Sequence, residues 1–82
     1  MKYPKKREMK WSKFGNVYVL VDPDTKKTFN IDPITFLVWI QCDGKTSIES
    51  MTDVFSVNGN RDIVKAAIKG ILDKLSREGL IE

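Results

Sequence analysis

The stretch that most constrains the fold is the junction at residues 27–44, where a strand pattern runs directly into a helix pattern. Residues 27–31 alternate polar and apolar side chains, as a half-buried strand does. Asp32 is suited to cap a helix by accepting a backbone N–H, and Pro33 fits the first helical position, where its missing donor is not needed. Because glycine tolerates the left-handed conformation that ends many helices, we expect Asp43-Gly44 to close this helix.

The middle of this predicted helix is apolar on nearly every side. Residues 36–40 read Phe-Leu-Val-Trp-Ile and leave almost no polar face, which places the helix at the centre of a small core. We interpret Trp39 and Cys42 as packing residues rather than as chemistry.

Two strand patterns precede the junction. Residues 9–14 alternate until Gly15-Asn16 breaks them, and the β-branched and aromatic run at 16–22 is the strongest strand pattern in the chain. The segment Asp22-Pro23-Asp24-Thr25-Lys26 has the composition of a turn. These segments predict a three-stranded antiparallel meander.

Two more helix patterns follow the junction. Ser47 is a natural N-cap for a short amphipathic helix at 48–55, and residues 56–60 form the next break. A longer helix begins at Arg61 and carries one apolar stripe until Gly79 ends it, with Leu80 and Ile81 folding back. The predicted fold class is therefore α+β: a three-stranded antiparallel meander followed by three helices, winged-helix-like in outline.

Composition excludes several functions. A chain of 82 residues fits one domain with a modest core. One cysteine and no histidine leave neither a disulfide framework nor a zinc ligand set. Without histidine the usual general base is missing as well, and no phosphate-cradling loop is apparent. We therefore expect no enzyme, no catalytic residues, no metal and no cofactor.

The charge is unevenly distributed. Residues 1–13 carry a net charge of +5, whereas the other 69 residues carry −2. We predict that residues 1–8 are a basic, flexible tail and that residues 9–82 form the domain; the tail is either a solubilising arm or a contact for a polyanion. No apolar run approaches the ~20 residues of a membrane span and no signal-peptide pattern is present, so we expect a cytoplasmic protein without membrane contact.

Several short motifs follow one another along the chain in an order that is typical of one family. They are Tyr18-Val19-Leu20, the turn at residues 22–25, the stretch from Phe29 to Asp32, Val38-Trp39, Asp43-Gly44, Thr46-Ser47-Ile48-Glu49, and Ile71-Leu72 through Leu75 to Gly79-Leu80-Ile81. In this order the chain resembles the PqqD family, the peptide chaperones of pyrroloquinoline-quinone biosynthesis, and the wider precursor-peptide recognition elements. Asp32 stands where the family usually has asparagine, and both residues cap helices.

The resemblance implies a non-catalytic domain that binds the leader of a ribosomally made precursor peptide. Such domains present the peptide to a modifying enzyme, often a radical-SAM protein, and the leader adds a strand to the third strand beside the last helix. Carried onto this chain, the peptide-binding residues are Lys27, Thr28, Phe29, Asn30, Ile31, Val64, Lys65, Ile68, Lys69 and Leu72. Val64, Ile68 and Leu72 fit an ordinary core equally well. Lys65 and Lys69 fit either a solvated helix face or a contact with an acidic leader.

Two other interpretations stay open. A winged-helix DNA-binding protein would place the last helix, with Arg61, Lys65 and Lys69, in a major groove and run the basic tail along phosphates. Against nucleic acid, the strands precede the helices and the body is slightly acidic. An unspecialised interaction module would use the same open edge, that of residues 27–31, to form a homodimer.

Overall fold

A computed structural model describes residues 2–57 and 59–82 of the chain. Met1, in the predicted tail, and Asn58, in the predicted break before the last helix, lie outside the described residues. The elements, in chain order, are β1 (Lys10–Phe14), β2 (Val17–Val21), β3 (Thr28–Ile31), α1 (Pro33–Ile40), α2 (Ile48–Phe55) and α3 (Arg61–Arg77). The predicted α+β class, with its meander and three helices, is confirmed.

The sheet has β2 in the middle and two outer strands. Its order is β1-β2-β3 and both pairings are antiparallel, with Trp11 opposite Leu20 and Leu20 opposite Phe29. Because directly opposite residues share a face, these three side chains point to the same side of the sheet. Leu20 is fully buried there, so this is the face that covers the helices.

Helix α1 begins as predicted but ends earlier than predicted. The Asp32 side chain accepts the Thr35 N–H at 2.7 Å, and Pro33 occupies the first turn. The helix ends at Ile40 rather than at Asp43-Gly44, because the Gln41 N–H donates back to the Val38 carbonyl in a tightened last turn. Asp43-Gly44 instead forms the turn into α2, where the Asp43 carboxylate accepts backbone N–H groups of the next residues.

The other two helices are also capped. Ser47 accepts the Ser50 N–H at 3.0 Å at the start of α2. At the end of α3, the Leu80 N–H donates to the Leu75 carbonyl, and Gly79 (φ +74°) donates to Ser76. This is the Schellman arrangement, in which a left-handed residue lets the chain fold back and satisfy the last carbonyls. It brings Leu80 into the core, as predicted from the sequence.

The core lies between the inner face of the sheet and the three helices, with Met51 as the fully buried core residue of α2. Trp39 is 1% exposed, and its indole N–H donates to the Leu80 carbonyl at 3.0 Å, which ties α1 to the chain end. Tyr18 and Phe36 stack with ring centroids 3.8 Å apart, which joins β2 to α1. Trp39 and Cys42 are therefore packing residues, and α1 holds the two layers together.

The segment before β1 contacts the body of the protein. The Lys6 N–H donates to the Cys42 carbonyl at 2.7 Å, and the Arg7 N–H donates to the Leu80 carbonyl at 3.1 Å. Pro4 is buried. These contacts join the chain start to both the end of α1 and the chain end. The predicted mobility of residues 1–8 and the domain boundary at residue 9 stay predictions.

Among the helices built from residues 2–57 and 59–82, none has both the length and the apolar character that a membrane crossing needs.

Candidate functional site

The outer side of β3 presents backbone groups that no other strand of the sheet pairs. The Asp22 N–H donates to the Lys27 carbonyl at 2.9 Å, so the register makes 20–29 and 18–31 the hydrogen-bonded pairs of the β2–β3 ladder. The N–H and C=O groups of Thr28 and Asn30 therefore point away from β2. We call this row of backbone groups the β3 edge; it offers an extended chain the pairing that a further strand would make.

The side chains of β3 alternate between the two faces. Phe29 is half-buried and Ile31 is buried on the inner face, whereas Thr28 and Asn30 are exposed on the outer face. Lys27 lies just before the strand with its ammonium 5.2 Å from the centre of the Phe29 ring. This contact places a positive charge at the start of the edge.

A groove without charged residues lies between the helices, close to the end of β3. It has a volume of about 290 Å³, and we call it the apolar groove. It is lined by Ile34, Leu37, Val38, Phe55, Ile63, Val64, Ala67, Ile68 and Ile71. Three of its large side chains are unusually open to solvent: Ile34 is 65% exposed, Leu37 47% and Ile63 69%. Large apolar side chains that converge on one open groove are typical of a docking surface.

The first turn of α1 connects the end of β3 to the apolar groove. Ile34, in the first turn of α1, lines the groove and follows Ile31 by three residues. Hydrogen bonds from the Thr35 backbone N–H and hydroxyl lower the pKa of Asp32 at the junction between β3 and α1, and the Lys74 charge on α3 adds a smaller effect. The β3 edge and the apolar groove are therefore linked through the first turn of α1.

A second concavity lies on another side of α3, facing α2. It has a volume of about 490 Å³, and we call it the lysine-lined hollow. Its lining residues are Lys2, Ser47, Ile48, Glu49, Lys65, Lys69, Leu72 and Asp73. It differs from the apolar groove in containing both positive and negative side chains.

Ion pairs join α2 to α3 beside this hollow. Arg61 binds Glu49 at 2.8 Å and also binds Asp53, and Lys65 binds Glu49 as well. Hydrogen bonds from Lys65 and then Arg61 lower the pKa of Glu49, so the carboxylate stays charged. The start of α3 is therefore neutralised by α2 instead of presenting a basic face.

The structure separates the predicted site residues into three groups. Residues 27–31 lie along the β3 edge, and Val64 and Ile68 line the apolar groove. Lys65, Lys69 and Leu72 line the lysine-lined hollow instead. Since successive helix residues are about 100° apart, these two sets lie on different sides of α3. Ile68 and Leu72 are also core residues, 3% and 1% exposed.

Sequence reasoning missed the open wall of the groove. Leu37 was expected inside the core because residues 36–40 are apolar, and Ile34 was not singled out. Helix α1 is eight residues long, however, and packs on the sheet and α3 with only part of its surface. Ile63 was not among the predicted peptide-binding residues. One feature of the sequence does point to an exposed apolar surface: it contains more apolar residues than one small core can bury.

These surfaces offer backbone hydrogen-bonding groups and apolar side chains. Cys42 is buried, and this burial raises the pKa of its thiol to about 12, which suppresses the reactive thiolate. Within the part of the chain that the structure describes, His, Cys, Asp and Glu side chains nowhere gather in a group suited to a metal ion. The β3 edge and the apolar groove can bind an extended, partly apolar chain.

Comparison with solved structures places the fold in a known class of domain. The chain is similar to the structure titled "TbiB1 in Complex with the TbiA(beta) Leader Peptide", with a TM-score of 0.75 and 18% sequence identity. The match covers 95% of this chain and 94% of that chain. At this identity the similarity shows a shared fold, that of a small domain with three strands before three helices.

The family follows from the sequence itself. The family model described as "Coenzyme PQQ synthesis protein D (PqqD)" matches residues 18–81. That is most of the chain, and the chain therefore belongs to the PqqD family. No curated protein matches it.

Proposed function

We propose that this protein binds the leader segment of a ribosomally made precursor peptide and presents the peptide to a modifying enzyme, such as a radical-SAM protein. The leader adds a strand to the β3 edge, and apolar residues of the leader enter the apolar groove. In this role the protein supplies binding and positioning, and the partner enzyme supplies the chemistry.

One observation carries the proposal: an unpaired strand edge is followed, three residues after its last residue, by Ile34 in the wall of an open, uncharged groove. Edge pairing uses backbone groups that every peptide has, so it gives affinity with little selection. The groove adds selection, because only a peptide with apolar side chains at the right spacing removes Ile34, Leu37 and Ile63 from water. Membership of the PqqD family and the TbiB1–leader complex of the structural neighbour support the same role.

The charge around the site favours an acidic leader. Lys27 lies at one end of the β3 edge. At the other end, the pKa of Asp32 is lowered mainly by hydrogen bonds from Thr35 and to a smaller extent by the positive charge of Lys74. Lys65 and Lys69, which the sequence suggested for this purpose, face the lysine-lined hollow. In the proposal, an acidic residue near either end of the paired segment increases the association rate more than the affinity.

A pair of titrations tests the proposal. A labelled peptide with the leader sequence of a precursor encoded beside this gene is titrated with the protein, and a labelled DNA duplex is titrated separately. We expect saturable peptide binding with weak salt dependence. DNA binding that weakens steeply with salt, without peptide binding, would instead favour the winged-helix interpretation.

Two matched variants locate the site. Ile63→Asp places a charge in the apolar groove at a residue that is 69% exposed, so folding is expected to be unaffected. Val57→Asp is the control: Val57 is 79% exposed and does not line the groove. Losing one apolar anchor of about 1.5–3 kcal/mol predicts roughly 10- to 150-fold weaker peptide binding for Ile63→Asp only. Equal affinities of the two variants would remove the groove from the site.

A further inference from the structure

The sheet has a second open edge, on β1, and its residues are complementary to a second copy of themselves. All five β1 residues are exposed, including Trp11 at 49% and Phe14 at 66%. In this hairpin Phe14 pairs with Val17 across the two-residue turn, so Phe14, Ser12 and Lys10 bond to β2. The N–H and C=O groups of Trp11 and Lys13 therefore point outward.

We infer that two copies of this chain associate through antiparallel pairing of their β1 strands, with the two-fold axis at Ser12. In this register Trp11 of each copy is opposite Lys13 of the other, and both residues have outward backbone groups. Each of these pairs exchanges two hydrogen bonds. The result is one continuous six-stranded sheet.

Side-chain chemistry selects this register over its neighbours. Centred on Ser12, it puts Lys13 opposite Trp11 and Lys10 opposite Phe14, so each ammonium meets an aromatic ring. Centred on Lys13, it would put like charges directly opposite each other. Centred on Trp11, it would leave Lys13 and Phe14 without partners in the strand. The Ser12 register is the one that pairs all five residues.

The dimer leaves both β3 edges free at the far ends of the joined sheet. It can therefore hold two extended peptides at once, and self-association does not compete with the proposed function. A five-residue edge buries little area, so the dimer is weak and belongs with interfaces below about 1,200 Å². Lysines on an edge strand also limit this association to the one register that accommodates them.

A disulfide test reads the register directly. Residue 12 forms a non-hydrogen-bonded pair with itself across the axis, with Cα atoms about 4.5 Å apart, within the range of a disulfide. Ser12→Cys is therefore expected to form a covalent dimer under mild oxidation. Lys10→Cys is the matched control on the same strand: its two copies lie about 13 Å apart, too far to bond. The native Cys42 is buried and does not compete.

Sedimentation of the full chain up to about 1 mM completes the test. We expect reversible dimers that Lys13→Pro abolishes, because proline removes an N–H that points outward from the sheet. The hydrogen bonds between β1 and β2 remain in this variant. The thermal unfolding midpoint of Lys13→Pro shows whether the variant is folded. A monomer at all concentrations, equal crosslinking of Ser12→Cys and Lys10→Cys, or dimers that persist in folded Lys13→Pro would each overturn the inference. Peptide binding, measured separately, is independent of all three results.

Discussion

Asn30→Pro is the perturbation that addresses the β3 edge most selectively. The Asn30 N–H points away from β2, so proline removes a donor that the proposed peptide needs. The hydrogen bonds between β2 and β3 stay intact. The proline ring also keeps the peptide from the Asn30 carbonyl, so two hydrogen bonds are lost. At about 0.5–1.5 kcal/mol each, the expected loss is about 1–3 kcal/mol, or about 5- to 150-fold in the dissociation constant.

Calorimetric titration with the leader peptide measures this loss. Lys13→Pro is the matched control, since it blocks an outward N–H on β1 instead of on β3. It is expected to bind the peptide with the affinity of the unmodified protein. Asn30→Ala separates the side chain from the backbone and is also expected to bind normally, because Asn30 is exposed. If folded Asn30→Pro keeps full affinity, strand addition at β3 is refuted.

Three further predictions concern stability and reactivity. Trp39→Phe removes the indole hydrogen bond to the Leu80 carbonyl, which keeps its hydrogen bond from the Arg7 N–H. Chemical denaturation is expected to show that the free energy of unfolding falls by about 0.5–1.5 kcal/mol, plus the effect of the void left by the smaller ring. Backbone N–H groups of the turn after Asp22 hold the pKa of its carboxyl below 3.8, so its stabilising contribution is present above that pH and is lost as the pH falls through the lowered pKa. Thermal unfolding midpoints measured from about pH 5 down to about pH 2 are expected to fall less steeply for Asp22→Asn than for the unmodified protein. Equal slopes for the two proteins would contradict this. The Cys42 thiol, with a pKa of about 12, is expected to react with a thiol reagent only after unfolding, so fast labelling of the folded protein would be contrary to the structure.

Local chemistry made most of the fold predictable. Asp32, Ser47 and Gly79 act through caps and turns of a few residues, so their roles are readable from the sequence alone. The strand pattern of β2 is equally local. The end of α1 was not predictable from Asp43-Gly44, because that pair is equally suited to a turn.

The candidate site depends on longer-range geometry. The β3 edge was expected from the order of the strands, and the structure shows which two residues face outward. The assignment of Lys65 and Lys69 to the same peptide site as Val64 and Ile68 stays a prediction; in the structure both lysines line the lysine-lined hollow, and Lys65 is held by Glu49 on α2. Pairing between distant helices leaves no periodic signal. The exposure of Ile34 and Leu37 is likewise set by which neighbours α1 lacks.

The site combines a tolerant element with a selective one. Backbone pairing at the β3 edge accepts many sequences, whereas the apolar groove requires suitable side chains. In the proposed role, the protein can hold a variable peptide through backbone pairing and still reject peptides without apolar residues. The peptide itself pays the ordering entropy, so moderate affinity and rapid release are expected.

Hydrogen–deuterium exchange of single backbone amides tests the central proposal most directly. In the free protein, the outward N–H groups of Thr28 and Asn30 are expected to exchange rapidly, whereas those of Phe29 and Ile31, paired with β2, exchange slowly. On saturation with the leader peptide, Thr28 and Asn30 are predicted to become protected and Phe29 and Ile31 to change little. Unchanged exchange at Thr28 and Asn30 with the peptide bound, or protection that appears at Trp11 and Lys13 instead, would contradict the proposal.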